Sequence, residues 1–182
     1  MKENSNSLRK RIMRKYLWST SISNYLRCRL SHSENYYIYK FMLNLRQYER
    51  LLTHKTTPIV SLKRFWYASQ YQKYSMYLGY VIGDGVLGED ITFYHRGNIV
   101  INPSSRIGDG CRFHGDCCIG VAKTGEVGCP VLGKNVDIGV GAKILGEIYI
   151  ADGITIGANS VVVDSFYEPG ITIAGVPAKR IH

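Results

Sequence analysis

The sequence predicts a mainly β fold, a triangular parallel solenoid preceded by a short α-helical segment. Three observations predict it. An apolar residue recurs every six positions through most of the second half of the chain. Small residues recur in phase with it, where a backbone must turn. The first eighty residues lack that period and show helical spacing instead.

The helical part comes first. Leu8, Ile12 and Tyr16 fall on one side of a helix, with Arg9, Lys10, Arg14 and Lys15 on the remainder. Ile38, Phe41, Leu45, Tyr48 and Leu52 form the clearest apolar stripe, spaced by three and four. A further helix is expected over Ser61–Leu78, after Pro58. Eleven of the fourteen tyrosines lie at or before Tyr80. An apolar ring with a polar tip suits a helix packed on a wet partner surface.

After Gly79 the texture changes. Stepping by six from Ile101 gives Ile107, Phe113 and Ile119, and the series resumes at Leu132 with Ile138, Ile144, Ile150, Ile156 and Val162. Gly108, Gly120, Gly133, Gly139, Ala151 and Gly157 follow these residues directly. Four places on come Ser105, Cys111, Cys117, Val136, Ala142, Ile148, Ile154, Ser160 and Phe166. Six is neither a helical nor a simple strand period. It fits flat sides of six residues, three to a coil, each with its aliphatic residue inward. The phase slips between Ile119 and Leu132, so 120–131 is expected to project as a loop. Two regions follow: a basic α-helical 1–79 and a solenoid 80–182.

Charge divides along the same line. Residues 1–80 carry 15 Lys/Arg against 3 Asp/Glu, and residues 81–182 carry 8 against 11. The basic segment is either a solvated helix face or a surface for phosphates, anionic lipid or an acidic substrate. The apolar runs are too short for a membrane span, and MKENSNSLRKRIMRKYL lacks the apolar core of a secretory signal, so a cytoplasmic protein is expected. Cys28, Cys111, Cys117, Cys118 and Cys129 form no C-x-x-C pair and are odd in number, against a disulfide framework or a zinc site. Cys111 and Cys117 sit where small core residues are needed. Gly83-Asp-Gly-Val-Leu-Gly88 matches G-x-G-x-x-G, but strand-like ITFYH follows it, with no helix N-terminus to hold a pyrophosphate.

Three stretches carry a family resemblance: HRGNIVINPSSRIGDGC at 95–111, IGVGAKILGEIYIADGITIGANSVV at 138–162, and AGVPAKRI at 174–181. Together they resemble the serine acetyltransferase branch of the hexapeptide-repeat acyltransferases, over about half of the chain. The resemblance implies a left-handed parallel β-helix, a homotrimer, and acetyl-CoA as acyl donor with no metal. It also implies that His95 is the catalytic base. A neutral imidazole takes the acceptor's proton as oxygen attacks the thioester carbonyl, then returns it to the leaving sulfur. Backbone N–H groups hold the oxyanion, and no acyl-enzyme is needed.

In that family an acid about fifteen residues earlier orients the histidine, and Tyr80 stands there. Asp84, Glu89 and Asp90 are the nearby acids, of which Glu89 and Asp90 are the expected partners; ordinary turn residues are the alternative. His114 directly follows inward Phe113. It is either a surface corner histidine or, with Tyr94, part of the acceptor site. By resemblance the CoA arm runs along Gly120, Val140, Gly141 and Ala158, with Lys179 and Arg180 on the nucleotide phosphates. A solvated terminus is the alternative for that last pair.

Serine-specific relatives place Asp before the histidine and Arg-His before a loop proline. Here those places hold Tyr94, Gly128 and Cys129, before Pro130. The helical part is short for the family, and no tail follows GVPAKRI to dock a cysteine-synthesis partner. These departures favour a carbohydrate acceptor, a sugar of a surface polysaccharide or its precursor; peripheral contact with an anionic membrane is a further expectation, and no nucleic acid is expected. Serine O-acetylation is the alternative. The second alternative is a non-enzymatic scaffold with a lipid- or nucleic-acid-binding N-terminus.

Overall fold

A computed structural model describes residues 4–125 and 127–181. Glu126 of the expected loop and the terminal His182 lie outside the described residues. The chain divides into two compact units, Met1–Leu78 and Gly79–His182.

The first unit holds four helices among the described residues: α1 (Ser5–Leu17), α2 (Ile22–Leu30), α3 (Glu34–Leu52) and α4 (Pro58–Leu78). Asn4 caps α1 by accepting a hydrogen bond from the Ser7 amide at 2.8 Å. Pro58 opens α4, three residues before the expected start, because proline suits a first helical position whose N–H has no partner. Leu8, Ile12 and Tyr16 are buried, as are Ile38, Phe41 and Leu45. The stripe fades at its end: Leu52 closes α3 and is exposed, where no further turn covers it. Ile59, Leu62, Phe65 and Trp66 of α4 are exposed as well.

The second unit is built from short strands: β1 (Tyr80–Ile82), β2 (Thr92–Phe93), β3 (Ile99–Ile101), β4 (Arg106–Ile107), β5 (Arg112–Phe113), β6 (Cys118–Gly120), β7 (Val131–Leu132), β8 (Asp137–Ile138), β9 (Lys143–Leu145), β10 (Tyr149–Ile150), β11 (Thr155–Ile156), β12 (Val161–Val162), β13 (Thr172–Gly175) and β14 (Ala178–Arg180). They form three sheets, ordered β1-β3-β6-β9-β12, β4-β7-β10, and β2-β5-β8-β11-β13-β14. The chain visits the sheets in rotation and every pairing but β13–β14 is parallel, which is the winding of a parallel β-helix. Isolated bridges Leu87–Ile107 and Ile150–Phe166 extend the second sheet by one coil at each end.

All ten residues of the six-residue series are buried, none more than 4% exposed. The small positions do what the period requires. A Cβ on Gly108 would come within 2.3 Å of the Gly133 carbonyl oxygen in the next coil, so a side chain there would push the coils apart. Gly141 turns its corner at φ +77°, a conformation that L side chains rarely adopt. Side-chain carboxylates tie coil to coil at the corners. Asp109, Asp116 and Asp152 accept hydrogen bonds from the backbone amides of Glu89, Asn98 and Lys134. At the slip in phase the described residues 121–125 and 127–130 lie outside any strand, one residue inside each expected end because Gly120 and Val131 belong to strands. Val127 is fully out in solvent, while Cys129 is buried.

Candidate active site

His95 stands at the corner where the chain leaves β2 for the next side. The pairing of Phe93 with Phe113, Phe113 with Ile138, and Ile138 with Ile156 fixes the column of residues below it. Two places further along, that register aligns His95 with Gly115, Val140 and Ala158. The Gly141 amide donates to the Gly115 carbonyl at 3.0 Å and the Asn159 amide to the Val140 carbonyl at 2.8 Å, which holds the corner together. Val140 and Ala158 are exposed there, and Gly141 is half-buried.

Where the resemblance expects an acid, Tyr80 supplies a hydroxyl, and it donates to the backbone carbonyl of His95 at 2.8 Å. The Tyr80 ring lies in the core against Phe93, at 5.0 Å between centroids, and Phe93 stacks on Phe113 at 5.1 Å. An aromatic column inside the coil therefore reaches out to hold the His95 backbone. Glu89 and Asp90 do not share this corner. They occupy the turn before β2, whereas His95 follows it, and Asp90 is itself a turn residue at φ 54°. In sequence β2 stands between them and His95.

A carboxylate that meets an imidazole, Asp137, is one that sequence reasoning missed. Asp137 Oδ1 lies 2.8 Å from His114 Nε2, and its Oδ2 accepts from Arg112 Nε at 3.1 Å. The His114 ring stacks on Tyr94, with centroids 4.6 Å apart and planes 23° from parallel. Thr92, Arg112 and Asp137 form one outward column in successive coils. That column follows from the repeat, because each residue directly precedes an inward one, Phe93, Phe113 or Ile138. Reading the outward positions coil by coil would have found it.

The expected CoA contacts fall in separate places on one chain. Gly120 ends β6, paired with Leu145, on the far side of that strand from the Val140–Ala158 corner. Lys179 and Arg180 belong to β14, the antiparallel edge strand, and Arg180 is already paired with Glu168 at 2.5 Å. Gly128 backs onto Glu147, whose Cβ would sit 2.4 Å from any Cβ at that position. G-x-G-x-x-G at 83–88 forms the first turn of the solenoid, with Gly85 at φ +72°.

Cys111 and Cys117 are buried in the core. Burial pushes the Cys111 thiol up to about 11, and the Cys117 thiol is raised for the same reason. Their thiols donate to the carbonyls of Gly133 and Gly115 at 3.2 and 3.1 Å. No disulfide forms among the described cysteines. Among the described residues no group of His, Cys, Asp and Glu could hold a metal ion, and no helix is long and apolar enough to cross a membrane.

No protein-family model matches the chain. A serine acetyltransferase of Helicobacter pylori is 32% identical over 135 residues, spanning 72% of this chain and 78% of that protein. A serine acetyltransferase of Buchnera aphidicola is 36% identical over 104 residues, but the match spans 57% of this chain and only 33% of that protein. Among solved structures, the soybean serine acetyltransferase apoenzyme superposes with a TM-score of 0.70 at 24% identity, over 98% of this chain and 70% of that one.

Proposed function

Because the chain belongs to the serine acetyltransferase family of hexapeptide-repeat acyltransferases, we propose that it transfers an acetyl group from acetyl-CoA to the hydroxyl of serine. The observation that carries this reading is the match over 78% of the Helicobacter pylori protein's length. It supports the alternative acceptor, serine, better than the expected surface-polysaccharide sugar. The same relationship supports a left-handed coil and a homotrimer. A trimer would also resolve the split CoA set. A neighbouring copy could bring its Gly120 side against the Val140–Ala158 corner of the first, with Lys179 and Arg180 on the nucleotide phosphates.

In this reading His95 is the general base, and its placement at that corner supports the assignment. It takes the serine hydroxyl proton as the oxygen attacks the thioester carbon, and it returns a proton to the departing CoA thiolate. A backbone N–H at the corner stabilises the oxyanion between the two steps.

A sugar acceptor is the second reading. It is favoured by Tyr94 in the place of an acid and by the buried Cys129 before Pro130. One experiment separates the two: thiol release from acetyl-CoA with serine and with nucleotide-linked and lipid-linked sugars side by side. Turnover with serine, lost in His95→Ala, is the expected result. Turnover with a sugar alone would replace serine as the acceptor.

A further inference from the structure

We propose that Arg112 and His114, both held by Asp137, form the site that recognises the carboxylate and ammonium groups of the acceptor amino acid. The proposal rests on serine being the acceptor and locates the residues that select it.

The hydrogen bonding sets what each group can still do. A carboxylate is acceptor-only, so the Nε2 that meets Asp137 Oδ1 at 2.8 Å must carry the hydrogen. In the neutral ring this leaves Nδ1 as an acceptor. Arg112 spends only Nε on Asp137, at 3.1 Å, which leaves its two terminal amino groups as a fork of donors. Neither the fork nor Nδ1 has a hydrogen-bond partner among the described residues. The side chains of Arg112, His114 and Asp137 are 42%, 41% and 25% exposed, so the site is open to solute while Asp137 is the most sheltered of the three.

Such half-exposed ion pairs contribute little to folding. What Asp137 does achieve is preorganisation, since one carboxylate fixes a guanidinium and the tautomer of an imidazole. The stack on Tyr94 fixes the ring plane. An α-amino acid presents a carboxylate and an ammonium on one carbon. The carboxylate suits the two donors of Arg112 in a bidentate pair, and the ammonium suits the Nδ1 lone pair of His114. Tyr94 ties the site to the proposed chemistry, because it stacks on His114 and is bonded to His95. The site would thereby supply the charged contacts that Tyr94, Gly128 and Cys129 do not.

The test uses Arg112→Met and His114→Phe, with Arg112→Lys as a charge-keeping control and thermal melts to establish folding. Acceptors are serine, ethanolamine (no carboxylate) and 3-hydroxypropionate (no ammonium). Arg112→Met should raise the KM for serine about tenfold or more, the scale of a lost charge-assisted hydrogen bond. It should leave the KM for acetyl-CoA within about twofold and erase the preference for serine over ethanolamine. His114→Phe should erase the preference over 3-hydroxypropionate instead. Arg112→Lys should fall between wild type and Arg112→Met.

If both variants fold and keep the wild-type KM and preferences, the site is not there. A raised KM for acetyl-CoA in place of serine would assign the fork to CoA phosphate and overturn the proposal. Wild-type protein silent with serine but active on a sugar would sink the functional reading itself, a failure distinct from variants that are indifferent in an enzyme active on serine.

Discussion

His95 and His114 follow β2 and β5, strands paired in adjacent coils, yet the chain surrounds them differently. His95 has its backbone held from below, by the Tyr80 hydroxyl on its carbonyl. His114 has its ring held from the side, by Asp137 on Nε2 and by Tyr94 on its face. A bond to the backbone sets where the imidazole stands, which is what a group that passes a proton needs first. Fixing a ring and its tautomer suits a group that must present one lone pair in one direction. On the proposed roles the contrast corresponds to two tasks, proton transfer and acceptor recognition, and it can be broken by experiment.

The largest expected effect is at His95. Losing a general base costs about 10²–10⁴-fold in rate, so His95→Ala should lower kcat on that scale while the KM for serine moves little. His114→Phe should show the reverse, raising the KM for serine and sparing kcat. Steady-state kinetics of the two variants decide the matter. A larger kcat loss in His114→Phe would exchange the roles.

Both histidines depend on the same aromatic column. Phe113→Ala removes a fully buried ring that stacks on Phe93 of the neighbouring coil and should cost about 3–5 kcal/mol, read as a fall in the urea midpoint. Both kinetic signatures should then degrade together. A loss confined to one of them would show that the corners are supported independently.

The coils also differ in thiols. The coil that carries His114 buries Cys111, whereas residues 80–98 contain no cysteine. The folded Cys111 thiol titrates near about 11 rather than its usual 9.0, so the native state holds that proton more tightly than the unfolded chain does. Its contribution is complete below pH 9 and is lost as pH rises towards 11. A shift of that size corresponds to roughly 2–3 kcal/mol. Urea midpoints at pH 8 and 10.5 should fall steeply in wild type and less in Cys111→Ala. Equal slopes would remove Cys111 from the alkaline transition.

Much of this was legible in the chain because a solenoid repeats its physics. One inward position per side fixed the strands, the core and the small residues, and the slip after Ile119 marked the loop. The helical unit was harder to read, because its apolar residues do not all face inward: Ile59, Leu62 and Phe65 share one face of α4 and are exposed. At the site, His95 and His114 could be named by resemblance and by position. Asp137 could not, because it lies 23 residues from His114 in sequence and meets it only across the coil. In a coil, closeness along the chain and closeness in space part company at every corner.

The smallest effect tests what Tyr80 does in the place of an acid. Tyr80→Phe removes one hydroxyl and keeps the ring that packs 5.0 Å from Phe93, so the column survives. The lost hydrogen bond to the His95 carbonyl should cost about 0.5–1.5 kcal/mol of stability. If that bond positions His95 for proton transfer, kcat should fall severalfold while the KM for serine holds. The control is Tyr94→Phe, which keeps the stack on His114 and leaves the Tyr80 bond untouched, and should change neither. A stability loss with unchanged kcat would mean that the hydroxyl only closes a turn. The distinction between a held backbone and a held ring would then lose its catalytic meaning.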